Sequence, residues 1–118
     1  MASIPYQQTL YFPGTYPTTS QLVWTQTFLL GGVTFTQGSW IAGSAKTAFT
    51  NSKQFWITKN GSAICVVTFA AGSATPSFGS LTGSPVTFAA GDVLSVLAYS
   101  TADPTGAGVA LTFLGTRS

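Results

Sequence analysis

Two carboxylates are all this chain offers for acid and base chemistry: Asp92 and Asp103, eleven positions apart. The enzymatic use of such a pair would be glycosidic cleavage, with one carboxyl held protonated in a cleft and the other ionised across the bond. That chemistry also needs a raised pKa in a cleft and a cluster of sugar-binding polar groups around the pair, whereas both aspartates read as turn residues. Asp92 follows Ala90-Gly91 and Asp103 precedes Pro104. In such turns a carboxylate accepts backbone N–H bonds, which accounts for both residues more simply. The chain has no histidine, so it has no Ser-His or Cys-His nucleophile pair and no imidazole ligand for a metal. Its single cysteine, Cys65, cannot bridge within the chain, and between Ile64 and Val66 it reads as a small buried hydrophobe. Gly31-Gly32 lacks the lysine and the strand-to-helix setting of a phosphate loop. Asn60-Gly61-Ser62 matches a glycan acceptor formally, yet a hairpin turn already explains it. The expectation is a non-enzymatic protein with no catalytic residue, cofactor or metal.

The surface chemistry is as sparse as the catalytic chemistry. Lys46, Lys53, Lys59, Arg117 and the two aspartates make up 5% of the 118 residues, against about a quarter charged in an ordinary globular domain. Thirteen serines and nineteen threonines supply neutral polar surface instead. Such surface costs less to desolvate than charge does when another protein covers it, which favours life in an assembly. A scattered net charge of +2 makes no basic patch for nucleic acid. No apolar stretch approaches the length of a membrane helix. The N-terminal MASIPYQQTL lacks the basic and apolar regions of a signal peptide, so synthesis in the cytoplasm is expected. An apolar content of 45% is ample for one core.

Nowhere do apolar residues recur at helical spacing. Short runs rich in Val, Phe, Thr, Trp and Ile are punctuated by Gly, Pro, Ser and Thr, which predicts an all-β chain: a single antiparallel β-sandwich, jelly-roll-like, of about eight short strands. The firmest pair is QFWITK and SAICVVTF around Asn60-Gly61, a type I′ hairpin signal. That turn sets Lys59 opposite Ser62, Ile57 opposite Ile64 and Phe55 opposite Val66. One face then carries Phe55, Ile57, Ile64 and Val66, and the other Trp56, Cys65, Val67 and Phe69. Both faces are apolar, so both must be covered, either by this chain (its N-terminal segment, or a bulge that turns Phe69 inward) or by a neighbouring subunit. Alternation also points inward at Leu22, Trp24 and Phe28, at Leu94, Val96 and Ala98, and at Val109, Leu111 and Phe113.

The hexapeptide VTFAAG occurs twice, at Val67–Gly72 and Val86–Gly91, with unrelated flanks. This is no repeat architecture but one local solution used twice: a strand that runs out into a glycine turn. Residues 1–20 differ from the sandwich domain of residues 21–118. They hold three prolines and the aromatics Tyr6, Tyr11, Phe12 and Tyr16 without clean alternation, which predicts an N-terminal arm or edge strand. The arm either folds back over its own sandwich or docks on a partner.

Taken as one string, the second half resembles a β-sandwich module of tailed-bacteriophage virion proteins, found in tail-fibre chains and in small stand-alone structural proteins. The resemblance rests on Ile57 with Lys59-Asn60-Gly61, Phe69-Ala70-Ala71-Gly72, Ala90-Gly91-Asp92-Val93-Leu94, and Asp103-Pro104-Thr105 before Val109–Phe113, and covers residues 53–115. This chain has Tyr99-Ser100 where many such modules place a proline, and its N-terminal half has no counterpart. The resemblance implies a capsid decoration, or cement, protein on the outside of a virion. It would bind the major capsid protein over the joints of the shell as a homotrimer, without contacting nucleic acid or membrane. Candidate contact residues are Tyr6, Tyr11, Phe12, Tyr16, Trp40 and Trp56. The alternative is a tail- or head-fibre module that stacks a host-surface sugar on a loop aromatic such as Trp40 or Tyr99.

Overall fold

A computed structural model describes residues 4–16, 21–28, 32–38, 40–99 and 103–117. Ten strands follow one another: β1 (Ile4–Tyr16), β2 (Gln21–Thr27), β3 (Val33–Phe35), β4 (Ile41–Thr47), β5 (Lys53–Lys59), β6 (Ser62–Phe69), β7 (Ser77–Phe78), β8 (Val86–Phe88), β9 (Val93–Tyr99) and β10 (Asp103–Arg117). They form two packed antiparallel sheets, a β-sandwich. One sheet runs β1-β10-β3-β8 with β4 also on β10, and the other runs β2-β9-β5-β6-β7. Ten strands rather than eight arise among the described residues because β3 and β7, at three and two residues, are too short to announce themselves in the sequence.

The hairpin forms at Asn60-Gly61, both at positive φ (51° and 88°), as a type I′ turn demands. Lys59 faces Ser62 as expected, but the register then slips between Ile57 and Thr58. Ile57 therefore meets Cys65, and Phe55 meets Val67. The expected faces are corrected accordingly. A one-residue slip moves every later side chain to the opposite face, so Cys65, Val67 and Phe69 join Phe55 and Ile57 in the core. Val66 moves outward beside Trp56. The bulge turns Phe69 inward, one of the expected alternatives, and leaves Trp56, Val66 and Leu97 half-buried on the outer face. The loop after β7 covers the edge of β6, where the Gly79 amide donates to the Val66 carbonyl and the Thr82 amide to the Ile64 carbonyl.

The two VTFAAG copies perform one task at opposite ends of β5. Lys53, at one end of that strand, pairs with Phe69; at the other end Lys59 donates to the Thr87 carbonyl at 2.7 Å, beside Phe88. After each copy's phenylalanine the chain turns through Ala-Ala-Gly, with a hydrogen bond of 3.0 Å from Ser73 N–H to Ala70 O and from Asp92 N–H to Ala89 O. Gly72 and Gly91 have φ of 77° and 91°, the third position of a type II turn. Each glycine amide then donates to the carbonyl of a distant phenylalanine, Gly72 to Phe49 at 2.6 Å and Gly91 to Phe28 at 2.7 Å. Those same rings pack on the hexapeptide's own: Phe49 on Phe69 at 5.2 Å and Phe28 on Phe88 at 4.9 Å. Each hexapeptide thus staples a strand end twice, through its backbone and through its ring.

These staples seed two aromatic clusters. Phe49, Phe55 and Phe69 form one. Phe28, Phe35, Phe88, Trp40 and Phe113 form the other, with Tyr6 and Trp24 against it. The expected inward positions Phe28, Leu94, Val96, Ala98, Val109, Leu111 and Phe113 are all buried, and Trp24 is half-buried against Phe113. The side chain of Leu22 lies outside the described residues.

Candidate interaction surface

The aspartates come first, because they would carry any chemistry. Asp92 sits at the corner where the second hexapeptide turn meets the β5–β6 hairpin. Its Oδ1 accepts from Asn60 Nδ2 at 3.0 Å, and its Oδ2 accepts from the Ala89 amide at 2.8 Å. Lys59 Nζ lies 3.7 Å from Oδ2 and 5.5 Å from the centre of the Phe88 ring. Asn60 completes the clasp by accepting from the Val93 amide at 2.8 Å. Lys59-Asn60-Gly61 and Ala90-Gly91-Asp92, separated in sequence, are therefore bonded to each other. The side chain of Asp103 lies outside the described residues, and among the described residues no cluster of His, Cys, Asp and Glu could hold a metal.

The Asn60 and Ala89 bonds, with the Lys59 charge, hold the Asp92 carboxyl below its ordinary value of 3.8. A carboxylate whose pKa is lower in the folded state stabilises the fold fully above its unfolded pKa, and the contribution is lost as pH falls through the folded value. Stability should therefore be level at neutral pH and fall only below about pH 4. Asp92→Asn should melt below the parent at pH 7, and the gap should narrow at pH 3; thermal melts at the two values read it directly.

Burial pushes the Cys65 thiol up to about 11, and its Sγ lies 3.5 Å from the Gly79 carbonyl oxygen, so it is an inert core group. Lys53, one of the scattered charges in the sequence, is fully buried at the start of β5. Its spacing of two from Phe55 and four from Ile57 puts it on their inward face, and only its residue type argues against burial.

The candidate contact residues whose side chains are described, Tyr6, Tyr11, Trp40 and Trp56, do not form one patch. Trp40 is 2% exposed and stacks on Phe113 at 5.9 Å, so it belongs to the core. A contact role for Trp40 is corrected on that ground. Its backbone is fixed too, since its carbonyl accepts from the Leu114 amide at 2.6 Å. Tyr6 is half-buried against Phe28 and Phe35, and its hydroxyl accepts from Gln26 Nε2 at 3.2 Å, which ties β1 to β2. Tyr11 is 55% exposed on the outer face of its sheet. Phe12 and Tyr16 lie on β1, but their side chains, like that of Tyr99, are outside the described residues. Trp56 lies half-buried on the outer face of the second sheet, in register with Leu97 on β9 and Val66 on β6. Its indole N–H donates to Gln54 Oε1 at 3.3 Å.

Composition of the edges is more telling than any single aromatic. No Asp, Glu, Lys or Arg precedes Lys46 in the sequence, so β1 and β2, which lie at the edge of each sheet, carry no charge at all. The outer face beside β1 is rich in threonine, with Lys46 of β4 exposed on the same face near Tyr11. Thr9 and Thr112 hydroxyls meet at 3.0 Å, as do Thr34 and Thr87 at 2.9 Å. A shallow, open hollow of about 260 Å³ lined by Thr34, Thr36, Trp40, Leu114, Gly115 and Thr116 adds no ionisable group. No family model, curated protein or solved structure matches the chain.

Proposed function

We propose that the protein is a non-enzymatic structural component of a virion, a capsid decoration protein that binds the outside of the shell between major capsid subunits and stabilises it as a homo-oligomer. The observation that supports this most is the charge-free flank formed by β1 and β2 beside a threonine-rich face. A freely diffusing protein protects such edges with lysine and other charges, whereas one covered by a partner avoids the cost of desolvating them. The turn motifs shared with phage β-sandwich modules supply the context. The fibre-module reading loses Trp40, one of its two sugar-stacking candidates, to the core.

The test is the copy number of this protein relative to the major shell protein in purified particles, by quantitative mass spectrometry. A ratio near one, or a simple fraction of it, is expected. A handful of copies per particle would overturn the decoration role in favour of a fibre or vertex component.

A further inference from the structure

We propose that the free edge of β1 is a homodimerisation site, pairing antiparallel with β1 of a second copy across a two-fold axis at Thr9. The Leu114 amide donates away from β1, to the Trp40 carbonyl. Backbone groups point to alternate sides of a strand at successive residues. The even-numbered residues of β10 near Leu114 therefore bond towards β4 and β3, and the odd-numbered ones towards β1. Through the register Gly115 to Tyr6, Phe113 to Gln8 and Leu111 to Leu10, residues Tyr6, Gln8 and Leu10 spend their N–H and C=O groups on β10. Gln7, Thr9 and Tyr11 aim theirs at the open edge. Among the described residues no backbone group reaches that edge. The Thr9 carbonyl accepts, at 3.4 Å, from the side chain of its neighbour Gln8.

The occupant follows from the sequence of the edge itself. The stretch between Pro5 and Pro13 is symmetric about Thr9 in its hydrogen-bonding capacity. Centred there, an antiparallel copy sets Gln7 opposite Tyr11 and Thr9 opposite Thr9, each pair exchanging two N–H···O=C bonds. Pro5 falls opposite Pro13, two residues without an N–H, so the ladder ends at the same point on both sides of the axis and no backbone donor is left unpaired there. No charge lies on β1, so no like-charge pair opposes the contact. A strand of a different protein would gain nothing from that symmetry. An isologous contact of this kind closes at two copies, and so replaces the homotrimer as the expected solution species. The inference does not depend on shell binding, and its test is made on the free protein.

The full-length chain is expected to sediment as a dimer at micromolar concentration. Thr9→Lys places two ammonium groups across the axis and should yield a folded monomer, because the Thr9 amide takes no bond from β10. Thr9→Cys should give a disulfide-linked dimer under mild oxidation, while Gln7→Cys and Tyr11→Cys should link only when the two are mixed; the native Cys65 is buried and does not compete. A monomer or trimer for the parent chain, a dimer indifferent to Thr9→Lys, or no crosslink from a folded Thr9→Cys would each overturn the proposal. A copy number that excludes a decoration role would leave this dimer untouched.

Discussion

Deleting residues 2–16 is expected to unfold the whole domain. β1 pairs with β10 in unbroken register from Ile4–Arg117 to Phe12–Val109 and supplies Leu10, which is 3% exposed. Its removal strips the backbone partners from one side of β10, at roughly 0.5–1.5 kcal/mol for each hydrogen bond. It also takes out Leu10, at about 2–5 kcal/mol for loss of a buried leucine side chain. It uncovers Phe28 and Phe35 where Tyr6 lies on them. Together these losses reach the total stability of a typical domain, about 5–15 kcal/mol. Far-UV circular dichroism and amide NMR dispersion of the truncated chain are the readouts. A truncated chain that stays folded would mean that β1 is a detachable arm after all.

The second large effect is expected at the hexapeptides. Phe69→Ala and Phe88→Ala should each lower the unfolding free energy by about 3–5 kcal/mol, since both rings are fully buried in aromatic clusters. The two substitutions should cost similar amounts, because each ring closes the same arrangement of turn, glycine amide and partner ring. Urea denaturation of the two variants settles the comparison. A cost under about 1 kcal/mol at either site would mean that its cluster relaxes around the cavity, and that the hexapeptides are alike in sequence only.

These expectations separate what the sequence made legible from what it did not. The Asn60-Gly61 turn was readable because both residues tolerate the backbone angles of its turn, and local geometry alone decided it. The bulge three residues further on was readable only as one alternative that would turn Phe69 inward, and its position was not, because that is decided by the core the strand faces. Pro5 and Pro13 argued for an arm or an edge strand, and Pro5 lies at a position whose N–H would face away from β10, so β1 runs through it at the edge of its sheet. Trp40 read as a loop aromatic for want of alternation around Gly38-Ser39. Its place in the core depends on Phe113, far along the chain. The clasp of Asp92 and Asn60 was equally hidden, because each residue is fully explained by its own turn until the fold brings the turns together.

The strand order of the first sheet has a bearing on how the chain survives its own synthesis. β1 is made before every other strand and β10 after every other, yet β10 is the strand against which both β1 and β4 pair. At roughly 5–20 residues per second on the ribosome, β1 waits several seconds as an uncharged, aromatic-rich segment with neither of its edges satisfied. The second sheet has a different history, because β5, β6 and β7 are neighbours in sequence as well as in space and can form while β10 is still untranslated. Nascent chains that meet during this interval have β1 available on both sides, and swapped or stacked β1 strands are the misassembly to which this topology is most exposed. Slower translation or a higher density of ribosomes on one message would therefore reduce the yield of soluble protein without any change in its final stability.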